Sequence, residues 1–216
     1  GEGFDFGTTT AHAMERLRQG IPAELAGLKD ENSNGNGSLM RILPVGIWGY
    51  ALEEGDVIRI AASASGVTHA HPRSKIACGI YTLLIHSILW SILEQGTDFE
   101  PREALSSAMR TIQKPRFVNF LTTELIAEIG HFDRFRSYDF NELPEQEIFS
   151  DGYVVHTLEA SVWCVLTTDS YTAAVLKAVN LGGDTDTTAC VAGGLAGLLY
   201  GLESLPNDWL SALQNT

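Results

Sequence analysis

Between Ile76 and Leu93 the chain runs eighteen residues without a charged side chain. Few structures accommodate such a run. It is about the shortest stretch that can span a bilayer as a helix, and it is far longer than a buried strand. Tyr81, Thr82, His86, Ser87 and Ser91 interrupt it, no second run follows, and the flanking Lys75 and Glu94 carry no basic bias. These features reject a membrane span. A helix apolar almost all round belongs at the centre of a helical bundle, where neighbours cover every face.

The rest of the chain agrees with an all-α fold. Apolar residues recur at three- and four-residue spacing, as in Val154, Leu158, Val162 and Val165, and period-two alternation is scarce. The spacing predicts helices over Thr8–Gln19, Leu39–Leu52, Asp56–Ser65, Pro72–Glu94, Pro101–Thr111, Phe117–Glu128, Tyr153–Leu166, Ser170–Val179 and Asp186–Tyr200. Pro72 and Pro101 suit a first helical position, and Asp56 and Ser170 are expected N-caps. Gly130 to Gly152 is polar, holds Pro144 and six acids, and lacks a helical stripe. It reads as an excursion over the surface, of lid or linker type. No repeat or composition break divides the chain, so residues 1–216 form a single domain, a compact multi-helix bundle.

Charge narrows the function classes. Fourteen basic against twenty-seven acidic side chains leave a net charge of −13, a surface that repels nucleic acid and anionic lipid. Cys78, Cys164 and Cys190 are far apart and lack C-x-x-C spacing, which supports neither a disulfide framework nor a zinc ribbon and fits a reducing cytoplasm. The opening GEGFDFGTTT has no basic or apolar signal region and no initiator Met.

Four clusters carry candidate chemistry. Gly182-Gly183-Asp184-Thr185-Asp186-Thr187 joins two predicted helices. Its carboxylates and hydroxyls are hard oxygen donors of the kind Mg2+ or Mn2+ prefers, while the same residues also suit capping of the following helix. Asn32 to Ser38, ending in Gly35-Asn36-Gly37-Ser38 before Leu39-Met40-Arg41, is a glycine-rich turn or an anion-binding loop without the Walker lysine. Arg41 within an apolar run needs a carboxylate if it is buried. His69 and His71 stand two apart with no third soft ligand near, so substrate contact and a structural role remain open. Asp5, before Gly7-Thr8-Thr9, is either a turn acceptor or a functional carboxylate. Gly193, Gly194, Ala196 and Gly197 permit close helix packing.

Taken in order, Asp-Phe-Gly-x-Thr at 5–9, Gly-Asn-Gly-Ser-Leu-Met-Arg at 35–41, Thr-His-x-His-Pro at 68–72 and Gly-Gly-Asp-Thr-Asp-Thr at 182–187 resemble the ADP-ribosylglycohydrolase family, which includes the dinitrogenase reductase-activating glycohydrolases. The resemblance implies an all-α hydrolase that uses two Mg2+ or Mn2+ ions to cleave ADP-ribose from an ADP-ribosylated protein or a small ADP-ribose conjugate. By the same resemblance Asp184, Asp186 and Thr187 are metal ligands. Gly35, Asn36, Gly37, Ser38, Met40, Arg41, His69, Tyr153, Gly182 and Gly183 line the substrate cleft, and Asp5 sits by the scissile ribose. Family members also carry a Thr-Asp-Asp segment upstream, and this sequence has no Asp-Asp pair. The resemblance therefore implies the C-terminal two thirds of a family domain, with half of the metal ligands and weak turnover by itself. A non-catalytic ADP-ribose-binding or crystallin-like structural member of the same family is the alternative.

Overall fold

The computed structural model describes residues 7–213. Along the chain run α1 (Thr8–Arg18), α2 (Ala23–Ala26), α3 (Leu43–Trp48), α4 (Glu54–Gly66), α5 (Pro72–Gln95), α6 (Pro101–Gln113), α7 (Thr123–Ile126), α8 (Val154–Leu166), α9 (Tyr171–Asn180), α10 (Thr185–Tyr200) and α11 (Asn207–Ala212). Among the described residues there is no β-strand, only the isolated bridges Leu28 to His69 and Gly35 to Tyr153. The expected all-α bundle is what the chain forms.

The uncharged run is its axis. Pro72 occupies the first turn of α5, and the His71 ring caps it by accepting from the Arg73 N–H. Helices α3, α4, α6 and α8 pack around α5, and Ile76 to His86 is buried without a break. This is the one helix among the described residues long and apolar enough to cross a membrane, yet 67% of its apolar window lies inside the fold. The exposed apolar side chains of α5 are at its far end, Trp90 and Leu93, and Ile47, Trp48 and Tyr50 are exposed as well.

Helix α10 crosses α5 closely, and one glycine explains it. A Cβ on Gly194 would stand 2.9 Å from the Tyr81 hydroxyl and 3.1 Å from Leu43. That hydroxyl donates to the Val191 carbonyl at 2.8 Å, locking the two helices. Gly193 and Gly197 face Tyr171 at ordinary contact distances, so the close approach needs one of the three glycines, not all.

Two expected helices differ. Leu39–Leu52 is not one helix: a 3-10 turn (Asn36–Arg41) precedes α3, and another (Gly49–Ala51) follows it. Pro44 cannot donate to the Met40 carbonyl, so a continuous helix would lose that bond. Phe117–Glu128 divides into a 3-10 turn (Pro115–Phe120) and α7, with Leu121 and Thr122 extended between them. Its apolar spacing was helical because Phe117, Leu121 and Leu125 all reach the core. The 130–152 segment runs over the surface as expected, with most of its residues exposed, but it is anchored in the core rather than free. Phe132, Phe135 and Phe140 are fully buried, with the last two rings 5.0 Å apart. Short 3-10 turns deliver these side chains at irregular intervals, which leaves no periodic signal. Asp56 lies in the first turn of α4, whose N-cap is Glu53, whereas Ser170 caps α9 through the Ala173 N–H.

Candidate functional site

Three segments distant in sequence meet at one place: the 34–37 loop, the 150–153 strap and the turn leading into α10. Asn36 is their hub. Its side-chain amide donates to Asp184 Oδ2 at 2.8 Å and to Thr157 Oγ1 at 2.9 Å, while its backbone N–H donates to the Gly152 carbonyl at 3.1 Å and Val154 N–H to the Asn34 carbonyl at 2.9 Å. The Asp184 N–H donates to the Ser150 carbonyl at 2.7 Å, and the Ser150 hydroxyl donates to the Gly182 carbonyl at 2.8 Å. The strap thus ties the glycine loop to the aspartate turn.

The turn itself depends on backbone geometry that side chains resist. Gly182 and Gly183 both have positive φ, +79° and +66°, the left-handed region in which a Cβ is disfavoured. A Cβ on Gly183 would also meet the Ser150 carbonyl oxygen at 2.5 Å. The pair bends the chain so that Asp184, Asp186 and Thr187 emerge together at the start of α10. Asp184 occupies the N-cap position; its carboxylate accepts from Asn36 and is also held by the Thr187 backbone. Burial pushes its pKa up, but hydrogen bonds with Asn36, Thr187 and Asp186 outweigh burial and hold it below the usual carboxylate range.

The other glycine loop is built without left-handed backbone. Gly35 and Gly37 lack positive φ. Gly37 is small because the His69 ring lies beneath it, where a Cβ would approach Cε1 to 2.9 Å. Ser38 does not face the cleft. It is 0% exposed, its hydroxyl accepting from Ser65 at 2.9 Å and from the Cys78 thiol at 3.5 Å, so it anchors the loop from behind. Met40 is exposed, its carbonyl 3.8 Å from Cys190 Sγ on α10. Arg41 is exposed too and has no carboxylate partner among the described residues; it donates to the Ala64 carbonyl at 3.3 Å and to Thr68 Oγ1 at 2.7 Å.

The two histidines part company, which excludes a shared metal. His71 caps α5 and turns its Nε2 to Glu31, 3.4 Å away. His69, 2% exposed, bonds through Nδ1 to Thr68 Oγ1 at 2.8 Å. Burial first, and then the nearby Arg41 charge, press the His69 pKa down from 6.5 to about 4, so the ring is neutral at pH 7. Tyr153 is half-buried beside the strap, its ring edge-on to His156 at 4.9 Å and its hydroxyl accepting from Arg73 at 3.5 Å. Burial raises its pKa against the opposing pull of Arg73. Arg73 also binds Glu128 at 2.7 Å. Asp5 lies outside the described residues.

Sequence reasoning missed Ser150, Gly152 and Thr157, which brace the site without motif or periodicity of their own. As a cation site, Asp184, Asp186 and Thr187 offer only hard oxygens, and among the described residues neither aspartate is bound in an ion pair with a Lys, Arg or His side chain. Among the described residues no three His, Cys, Asp or Glu side chains converge. These donors therefore fit one side of a hard divalent ion.

A helical bundle with this strap-tied aspartate turn defines a glycohydrolase type of fold: the whole chain, residues 1–216, matches ADP-ribosylglycohydrolase, and the protein belongs to that family. It is 31% identical to the ADP-ribosylarginine hydrolase Tri1 of Pseudomonas putida (strain GB-1), over 97% of this chain and 50% of that protein. It is 27% identical to the ADP-ribosyl-[dinitrogen reductase] glycohydrolase of Rhodospirillum rubrum, over 85% of this chain and 52% of that one. A solved structure named ADP-ribosylglycohydrolase-related protein complex superposes with a TM-score of 0.74 at 31% identity, covering 96% of this chain and 64% of its own. The chain spans about half the length of these two curated relatives.

Proposed function

We propose that this chain carries the ADP-ribose-binding loop and one side of the divalent-cation site of a hydrolase that releases ADP-ribose from a modified protein side chain or small acceptor. The observation that carries the reading is the Asn36 hub, which places the glycine loop against the Asp184 carboxylate although 148 residues separate them. The turn also serves the helix, since the Thr187 backbone holds the Asp184 carboxylate, but capping alone does not account for the Asn36 bonds to Asp184 and Thr157.

In this reading the Gly35–Gly37 loop seats the diphosphate and adjoining ribose, using backbone donors and small residues in place of lysines. Asp184, Asp186 and Thr187 hold Mg2+ or Mn2+. When bound, such an ion supplies charge that orients ribose hydroxyls and makes a water more acidic. Asn36 keeps Asp184 ionised and aimed, and the Ser150–Tyr153 strap closes the side of the cleft. Asp5 is proposed beside the scissile bond. The nearby acids suit the positive charge that develops on an oxocarbenium-like ribose. The named relatives act on ADP-ribosylated proteins, and the same class of substrate is proposed here.

Calorimetric titration with Mn2+ and ADP-ribose, with release of ADP-ribose from modified protein measured beside a chelator control, tests the reading. Asp184→Asn with Asp186→Asn should weaken Mn2+ binding at least about tenfold while the helical circular dichroism signal stays unchanged. Equal Mn2+ affinity in the double variant would overturn the cation assignment, and a lost helical signal would return the turn to capping.

A further inference from the structure

We propose that Arg41 and Thr68 are positioning residues that lock His69 as its Nε2–H tautomer, making the ring a hydrogen-bond donor directed at ligand oxygens seated on the Gly35–Gly37 loop. The ligand part of this inference rests on the function proposed above; the relay itself rests on geometry alone.

The direction of each bond is forced by what its groups can do. A guanidinium has only donors, so the contact from Arg41 to Thr68 Oγ1 at 2.7 Å is accepted by the hydroxyl. Arg41 is fixed in that pose by the Ala64 carbonyl, 3.3 Å from both Nη1 and Nη2. The Thr68 hydroxyl oxygen could accept a second bond from an Nδ1–H, but its own proton would then have no acceptor among the described residues, whereas His69 Nδ1 lies 2.8 Å away. Nδ1 therefore accepts. In a neutral imidazole whose Nδ1 accepts, the proton resides on Nε2.

Neutrality follows from the same surroundings. Burial and the Arg41 charge both disfavour the imidazolium, so no protonated form blurs the assignment at pH 7. The loop side then completes the picture. Nε2 would stand 3.3 Å from a Cβ on Gly37 and 3.8 Å from one on Gly35, and among the described residues it has no hydrogen-bond partner. Nε2 is not among the fully buried unpartnered atoms, so it reaches solvent past the glycines, and an acceptor oxygen resting on the loop would take the place of water there. The glycines leave the opening through which that oxygen approaches. A ligand with phosphate or ribose oxygens there gains the bond, and one presenting a donor is rejected.

The ring tautomer is read directly by long-range 1H–15N correlation spectra of the full chain labelled at histidine, without any ligand. His69 should show the Nε2–H pattern in the wild type. Thr68→Val, which keeps the shape and removes the hydroxyl, should shift it toward Nδ1–H and weaken ADP-ribose binding about tenfold by calorimetry, while Thr68→Ser should restore both to within about twofold. An Nδ1–H ring in the wild type, or an unchanged tautomer and affinity in Thr68→Val, would overturn the proposal. If Thr68→Val does not fold, the wild-type spectrum and Arg41→Met, expected to loosen the same preference, decide it. A wild-type Nε2–H ring without any ADP-ribose binding would uphold the relay and remove the reading of the loop.

Discussion

Replacing Gly183 by Ala tests how the aspartate turn is built, because its neighbour supplies an internal control. Gly183 sits at φ +66° and Gly182 at φ +79°, so a methyl group at either costs about 1–2 kcal/mol for the left-handed backbone. Only at position 183 does the new Cβ collide, 2.5 Å from the Ser150 carbonyl oxygen; position 182 has nothing within 4 Å. The colliding oxygen is the one that accepts from the Asp184 N–H at 2.7 Å. Relieving the clash stretches that bond, which adds about 0.5–1.5 kcal/mol. Gly183→Ala should therefore cost about 2–3 kcal/mol, lowering Tm by about 5–10 °C in a chain of this size, and Gly182→Ala about half as much. Urea denaturation of the wild type and both variants gives the stabilities, and a parallel Mn2+ titration should show weaker binding for Gly183→Ala, whose Asp184 is displaced. Equal stability of the two variants would show that the strap does not press against the turn.

Acid should destabilise the fold through His69. Its pKa lies at about 4 when folded against 6.5 when free, so the unfolded chain binds the extra proton and stability falls progressively as pH drops from about 6.5 toward 4. At 1.36 kcal/mol per pH unit the loss approaches about 3 kcal/mol, and His69→Gln should flatten that limb of a pH–stability curve measured by urea denaturation. Arg134→Met should cost about 2–3 kcal/mol, the lower side of the range for a broken buried pair, because it strands the Glu159 carboxylate, 3% exposed, while Arg134 itself is 34% exposed. Adding Glu159→Gln should recover most of that loss in a double-variant comparison. Gly194→Ala should destabilise by about 1–2 kcal/mol, since crowding against Tyr81 and Leu43 outweighs its gain in helix propensity, whereas Gly193→Ala, with its nearest neighbours at 3.5 Å, should be neutral or stabilising by thermal melting.

What the sequence determined by itself is local or compositional. Eighteen uncharged residues can satisfy water exclusion only as a helix wrapped by others, so α5 and the all-α class were legible before any contact was known. Pro72, Pro101 and Ser170 act within one turn of where they stand, and they mark helix starts reliably for that reason. The ordered motifs at 35–41, 68–72 and 182–187 were legible as a family pattern. Tertiary structure decided what those residues do. That the Asp184 carboxylate meets Asn36, 148 positions away, is decided by packing, and no local rule reaches that far. The adjacent histidines look equivalent in sequence, yet one caps α5 and the other lies under the glycine loop, because Thr68 and Glu31 pull them apart. Ser38 stands inside the loop motif but is buried against Ser65 and Cys78, and the exposed 130–152 segment sends Phe132, Phe135 and Phe140 into the core at intervals that follow no period. Short-range propensity fixes the rods; the directions of side chains are settled only when the rods pack and each buried polar group must find its partner.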